Sequence, residues 1–90
     1  MQLKEMIESA YGNSMNFMTP DVKEYGWIVP QKVAYEISTG RGFDSDMVAG
    51  VSIVENGEKS EKSTSFTANT RDGAIEKARD YIRELEEEFK

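Results

Sequence analysis

The chain has 90 residues and contains neither cysteine nor histidine. Without cysteine there is no disulfide, no thiolate ligand for zinc and no cysteine nucleophile. Without histidine there is no imidazole base, and therefore no catalytic triad that depends on one. An enzyme built from this chain would have to use carboxylates, lysine, tyrosine or serine. We therefore expect a protein that is not an enzyme and that holds no cofactor and no metal ion.

Long apolar runs are also missing. The longest are three residues each, at 27–29, 33–35 and 47–49, whereas a helix that spans a membrane needs about 20 consecutive apolar residues. The first residues include Glu5 and Glu8 beside Lys4, which is atypical of a secretion signal. We expect a cytoplasmic protein that does not bind membranes.

A concentrated basic region is the third feature that the sequence lacks. The formal net charge is −6, and residues 1–24, 25–70 and 71–90 each carry two more acidic than basic side chains. Nucleic-acid binding draws much of its affinity from clustered lysine and arginine, which release counterions from the phosphates. The charge distribution therefore favours a protein partner over a nucleic acid.

What the sequence does contain is hydrophobic periodicity of two kinds. Val33, Tyr35 and Ile37 alternate with more polar residues, which predicts a strand with one wet face. Near the C-terminus the apolar residues recur at helical spacing after Thr70, a good N-cap residue. The apolar residues of this stripe are Ala74, Ile75, Ala78, Ile82, Leu85 and Phe89.

These patterns divide residues 1–90 into the elements of a single domain. In chain order they are a helix at about 2–11, an irregular segment at 12–26, strands at about 31–39, 47–55 and 62–68, and a helix at about 71–88. Strands that are joined by short turns pair as antiparallel neighbours. The sequence thus predicts an α+β two-layer sandwich, in which a three-stranded antiparallel meander carries both helices on one face in the order α-β-β-β-α.

The stretch STGRGFDSD, residues 38–46, is the strongest candidate for a site. Gly40 and Gly42 can supply positive φ angles and Asp44 can close a turn, which indicates a hairpin loop. A phosphate-binding loop would need G-x-x-x-x-G-K-[ST] followed by a helix, but here a strand follows. A calcium loop that starts at Asp44 would have Asp46 as its next ligand, but Val48 stands at the following ligand position and Ala49 at the position of the invariant glycine.

The alternative to a plain hairpin is a contact loop in which Arg41 and Phe43 project toward a partner. Trp27, Val48 and Val54 would add apolar surface on the sheet. We therefore predict a small acidic protein-interaction module that uses the open face of the sheet or an edge strand. Its partner would be another protein or a second copy of the chain.

The segment RDGAIEKARDY, residues 71–81, places Ala74 and Ala78 one helical turn apart. Together with the order α-β-β-β-α, this spacing resembles double-stranded-RNA-binding domains, in topology over most of the chain. That family begins its final helix with paired lysines that grip phosphates, whereas Arg71, Asp72 and Ile75 stand at the basic positions here. The resemblance implies nucleic-acid binding as an alternative function. Its candidate contacts are Lys59, Lys62, Arg71, Lys77 and Arg79.

Residues 51–82, a hairpin followed by a helix, are also similar to the small arm-binding modules of phage integrases. Those modules are strongly basic and normally precede a catalytic domain. Compact acidic proteins of this size are common among phage and mobile-element products that bind and block other proteins. By this class-level analogy we include such an origin in the hypothesis.

Overall fold

The structure, a computed structural model, describes residues 3, 7, 22–42 and 46–90. In this part of the chain the fold is α+β, with an antiparallel sheet followed by a helix. The elements are β1 (Val22–Val29), β2 (Val33–Arg41), β3 (Met47–Glu55), β4 (Glu58–Lys59), β5 (Thr64–Ala68) and α1 (Arg71–Glu88).

Strand β1 lies partly in the segment that the sequence predicts to be irregular. It pairs antiparallel with β2, where Gly26 lies opposite Tyr35. A Cβ atom at Gly26 would be 2.5 Å from atoms of the Tyr35 ring, so the ring lies directly against the glycine backbone. A glycine within a strand weakens its local propensity. The pairing with β2 therefore accounts for β1 better than its own sequence does.

Two tight turns close the same end of the sheet. The turn between β1 and β2 is closed by a hydrogen bond of 3.0 Å from the Lys32 N–H to the Val29 carbonyl. Gln31 in this turn has a φ of 65°, a left-handed conformation that is uncommon for residues other than glycine. Asn56 and Gly57, with φ of 53° and 86°, form the turn between β3 and β4, as the Asn-Gly pair predicts.

The strand predicted at 62–68 begins at Thr64 in the structure, after a bulge that separates it from β4. The pairing of β4 with β3 ends at Lys59 and that of β5 begins at Thr64, so residues 60–63 face only two residues of β3. The Ser63 hydroxyl accepts the Ile53 N–H at 3.0 Å and donates to the Ser60 carbonyl at 3.0 Å. This side chain replaces a missing ladder bond, which lets β4 and β5 share one side of β3.

Helix α1 begins after Thr70, whose hydroxyl accepts the Gly73 N–H at 3.1 Å. Asp72 adds negative charge to the first turn, where the helix dipole favours it. The buried stripe of α1 packs on one face of the sheet, and this cluster contains Val33, Ile37, Ala49, Val51, Ile53, Ala74, Ala78, Ile82 and Leu85. Among the described residues, no helix is both long and apolar enough to cross a bilayer.

A second apolar cluster lies on the opposite face of the sheet. It is formed by Ile7, Ala34 and Val54, with Leu3 and Trp27 packed against it. Leu3 and Ile7 are both helical, and the rest of the predicted helix at 2–11 lies outside the described residues. The position of Ile7 differs from the prediction that both helices pack on one face. An apolar stripe shows which side of a helix is buried, but not which face of a sheet covers it.

Candidate interaction surface

The hairpin loop between β2 and β3 is closed by its backbone. The Gly42 N–H donates to the Asp46 carbonyl at 2.8 Å. Contrary to the prediction, neither Gly40 nor Gly42 has a positive φ. A Cβ atom at Gly42 would lie 3.0 Å from Val48 Cγ2, so close approach favours the glycine there. Arg41 is exposed at the end of β2. Phe43, the other predicted contact of this loop, lies outside the described residues, as does Asp44.

The structure does not bring Trp27 and Arg41 together. Trp27 pairs with Ala34 and packs into the second apolar cluster, on the face opposite α1. Arg41 lies seven residues after Ala34 on β2. At about 3.3 Å per residue, it is about 23 Å from the Trp27–Ala34 pair. Because seven is odd, its side chain points to the other face. The two residues therefore cannot contact one compact partner surface together.

The face opposite α1 is not the open surface that the sequence predicts. Val54, expected to add exposed apolar area, is fully buried, and Glu36 and Ser38 are 2% and 0% exposed. The Ser38 hydroxyl donates to Glu36 Oε1 at 2.9 Å. These buried positions are not available to a partner, so the sheet's edges are the stronger candidates.

At least three of the five predicted nucleic-acid contacts already interact with other groups of the chain. Lys62 lies 3.6 Å from Glu88 and over the Phe89 ring, and Lys77 donates to the Thr67 carbonyl at 2.7 Å. Arg79 forms an ion pair with Glu24 of β1. Lys59 and Arg71 are exposed. Lys77 contacts β5 and Arg79 contacts β1, two opposite edges of the described sheet, so these bases do not form one phosphate-binding surface.

Two groups near the contact between α1 and β1 have raised pKa values. The hydrogen bond to Glu24, together with the charge of that carboxylate, raises the pKa of Arg79. Burial raises the pKa of the neighbouring Tyr35 phenol, and the negative charges of Glu24 and Glu86 raise it further. Both shifts stabilise the protonated forms, so Arg79 stays cationic and Tyr35 stays neutral. The ion pair between Arg79 and Glu24 therefore links α1 to β1.

The outer edge of β5 is different, because its backbone groups have few partners among the described residues. In an antiparallel strand the N–H and C=O of one residue point to the same side, and successive residues alternate. The Ile53 backbone faces β4 and β5, since its carbonyl accepts the Ser60 N–H. With this register, the backbone groups of Thr64, Phe66 and Ala68 point toward β3. Those of Ser65 and Thr67 point outward. The side chains of Ser65 and Thr67 are also exposed.

This edge therefore offers three backbone groups for pairing. They are the N–H and C=O of Ser65 and the N–H of Thr67, which have no hydrogen-bond partner among the described residues. The fourth outward group, the Thr67 carbonyl, accepts from Lys77. Unpaired groups on an exposed strand edge are a template for a further strand.

The phenol of Tyr81 contacts the chain just before the N-terminal end of β5. Its hydroxyl donates to the Lys62 carbonyl at 2.5 Å, and its ring lies 5.5 Å from that of Phe66. Burial raises the pKa of this phenol; the charge of Glu88 raises it further, while that of Lys62 opposes the shift. The protonated form is the one that can donate this hydrogen bond.

The Tyr81 phenol predicts a loss of stability at alkaline pH. Because its pKa is higher in the folded than in the unfolded chain, the folded protein binds more protons near pH 10, and the unfolding free energy falls as pH rises through the folded pKa. We expect urea midpoints to fall more steeply between pH 9 and pH 11 for the wild type than for Tyr81→Phe, which keeps the ring. Equal slopes would contradict this role.

Nothing in the sequence marks Ser65 and Thr67 as contacts. They lie in the third strand of the predicted meander, which is an edge strand, but no residue pattern shows which of its backbone groups face outward. A concentration of hydroxyl residues in a strand with few large apolar side chains was the one available signal. No group of three or more acidic side chains within the described ranges is arranged to hold a metal ion.

Comparison with known proteins adds no relative. No family model matches the chain, and neither a curated protein nor a solved structure matches it significantly.

Proposed function

We propose that this protein is a non-enzymatic protein-interaction module that receives an extended segment of a partner at the outer edge of β5. The observation that supports this function is the set of outward groups on Ser65 and Thr67 that have no hydrogen-bond partner among the described residues. A partner strand that hydrogen-bonds to these groups would extend the sheet, which is a common mode of peptide recognition. Main-chain bonds supply affinity in this mode, and alternate side chains supply specificity.

The surroundings of β5 support this choice over the other surfaces. The buried part of the face opposite α1 cannot contact a partner without rearrangement. Nucleic-acid binding, which the α-β-β-β-α topology suggests, lacks comparable support because Lys62 and Arg79 already pair with carboxylates of the chain, and Lys77 and Arg79 contact strands at opposite edges of the described sheet. The net charge of −6 also opposes approach to phosphates. The strand edge therefore remains the best candidate.

A proline at Ser65 tests the proposal directly. The Ser65 N–H points away from β3, so Ser65→Pro removes a donor from the edge without removing a bond from the ladder. Ser65→Ala is the matched control, because it removes the hydroxyl and keeps the N–H. We expect both variants to fold, with circular dichroism spectra and melting temperatures close to those of the wild type.

The readout is capture of partners by the immobilised protein, identified by mass spectrometry and quantified for the three proteins side by side. We expect proteins retained by the wild type and by Ser65→Ala to be lost with Ser65→Pro. A retained set that is the same for all three would show that the β5 edge is not the docking site. Failure of the wild type to retain any protein would likewise count against the function.

A further inference from the structure

We infer that the partner strand carries a carboxylate side chain that pairs with Lys77. This inference rests on the proposed function, because it specifies the chemistry of the segment that the β5 edge accepts. It is carried by the position of Lys77, whose charged group lies at the edge itself, 2.7 Å from the outward carbonyl of Thr67.

The charge of Lys77 is not compensated by a carboxylate in the described part of the chain. Asp80, three residues further along α1 and within reach of a helical pair, is engaged with Arg83 at 2.6 Å. Arg79 is paired with Glu24. An ammonium group has three donors, and the Thr67 carbonyl occupies one of them. The remaining donors can bind an acceptor that a partner supplies.

Strand geometry indicates where this acceptor would lie. Phe66 and Ala68 point to the face that α1 covers, since Phe66 pairs with Ala49 and Ala68 with Met47. A side chain on an added strand that lies opposite Phe66 or Ala68 points to the same face. Lys77 approaches β5 from that face. The partner segment should therefore place its acidic residue there, and its intervening side chains beside the hydroxyls of β5.

A second copy of this chain fits the edge poorly. Two β5 strands that pair antiparallel about Phe66 would bring their two Lys77 ammonium groups near one another. Each copy also has a net charge of −6, which opposes association. Lysine on a strand edge is a common device against self-pairing. We therefore expect the purified protein to sediment as a monomer.

Two synthetic peptides that differ in one charge test the inference. One is acetyl-Thr-Val-Thr-Glu-Thr-Val-Thr-amide, and the other has lysine in place of the glutamate. Each is titrated into ¹⁵N-labelled protein while the amide signals of Ser65 and Thr67 are followed by NMR. Exposed ion pairs contribute up to about 1 kcal/mol, so we expect the glutamate peptide to bind about fivefold more tightly.

The charge preference should depend on Lys77. In Lys77→Gln we expect the two peptides to bind about equally. Lys32→Gln is the matched control because Lys32 is an exposed lysine in the turn between β1 and β2, away from β5. It should keep the fivefold preference.

The outcomes separate this inference from the proposed function. Equal shifts of Ser65 and Thr67 with both peptides would overturn the carboxylate inference and leave strand addition intact. A preference that persists in Lys77→Gln would do the same. Failure of both peptides to shift these signals would overturn the inference and count against the β5 edge as a docking site. A dimer that Ser65→Pro dissociates would show that the partner is a second copy of this chain.

Discussion

Replacing Ile53 by alanine is expected to lower the free energy of unfolding by about 3 kcal/mol, within the range for such core substitutions. Ile53 is fully buried in β3 and packs in the cluster beneath α1. The substitution would lose the transfer free energy of the removed methyl and methylene groups. It would also leave a cavity between β3 and α1 that the surrounding side chains fill only in part. Domains of this size are stable by about 5–10 kcal/mol, so the variant would be partly unfolded in moderate urea.

Ile53→Val is the matched control, since it removes one methylene and keeps the branched shape. We expect it to cost about 1 kcal/mol, and urea titrations followed by tryptophan fluorescence would measure both values. Trp27 lies in the second cluster, so its signal also reports whether both faces unfold together. A loss below about 1 kcal/mol for Ile53→Ala would contradict the packing described for α1 and β3.

The adjacent hydroxyls of Ser38 and Thr39 are expected to have opposite effects when removed. Both residues are 0% exposed. The Ser38 hydroxyl donates to Glu36, and losing a bond to a carboxylate costs about 1.5–3 kcal/mol. Thr39 Oγ1 is buried without a hydrogen-bond partner in the part of the chain that the structure describes. Thr39→Val removes the desolvation penalty of that hydroxyl, so it should raise the unfolding free energy by about 1 kcal/mol.

Thermal and urea unfolding of Ser38→Ala and Thr39→Val would measure both effects. The two variants are controls for one another, because they change neighbouring positions on opposite faces of β2. A destabilised Thr39→Val would show that the hydroxyl has a partner in solution, such as a bound water. A neutral Ser38→Ala would show that Glu36 does not depend on that hydrogen bond.

An exposed strand edge requires protection from indiscriminate pairing. β5 has only five residues, and Lys77 occupies one of its outward acceptors. Short edge strands and edge lysines are known to limit aggregation. The same lysine that discourages a second copy can select a partner that carries a carboxylate, so protection and specificity would arise from one side chain.

The C-terminal helix is the element that sequence alone describes best. Its apolar stripe has a clear helical period, and the Thr70 side chain caps it as expected of a threonine at that position. These are local properties, which depend on residues within one or two turns. The alternation of Val33, Tyr35 and Ile37 identifies β2 for the same reason. The composition also limits the chemistry, because absent imidazole and thiol groups cannot be supplied by folding.

The arrangement of these elements was decided by tertiary contacts. β1 depends on pairing with β2, and the bulge at 60–63 depends on a hydroxyl that reaches across to Ile53. The packing of Ile7 opposite α1 could not be read from its stripe, because periodicity specifies a buried side but not the surface that buries it. The same holds for the candidate site. The predicted meander already placed the strand at 62–68 at an edge, but only its register with β3 decided that the backbone groups of Ser65 and Thr67 point outward.

Local sequence therefore determined which segments can be helix or strand and which reactive groups are absent, whereas long-range pairing alone decided which backbone donors and acceptors stay exposed. If the outward amides of β5, those of Ser65 and Thr67, proved as protected from hydrogen exchange as the amides that face β3, this conclusion would be wrong.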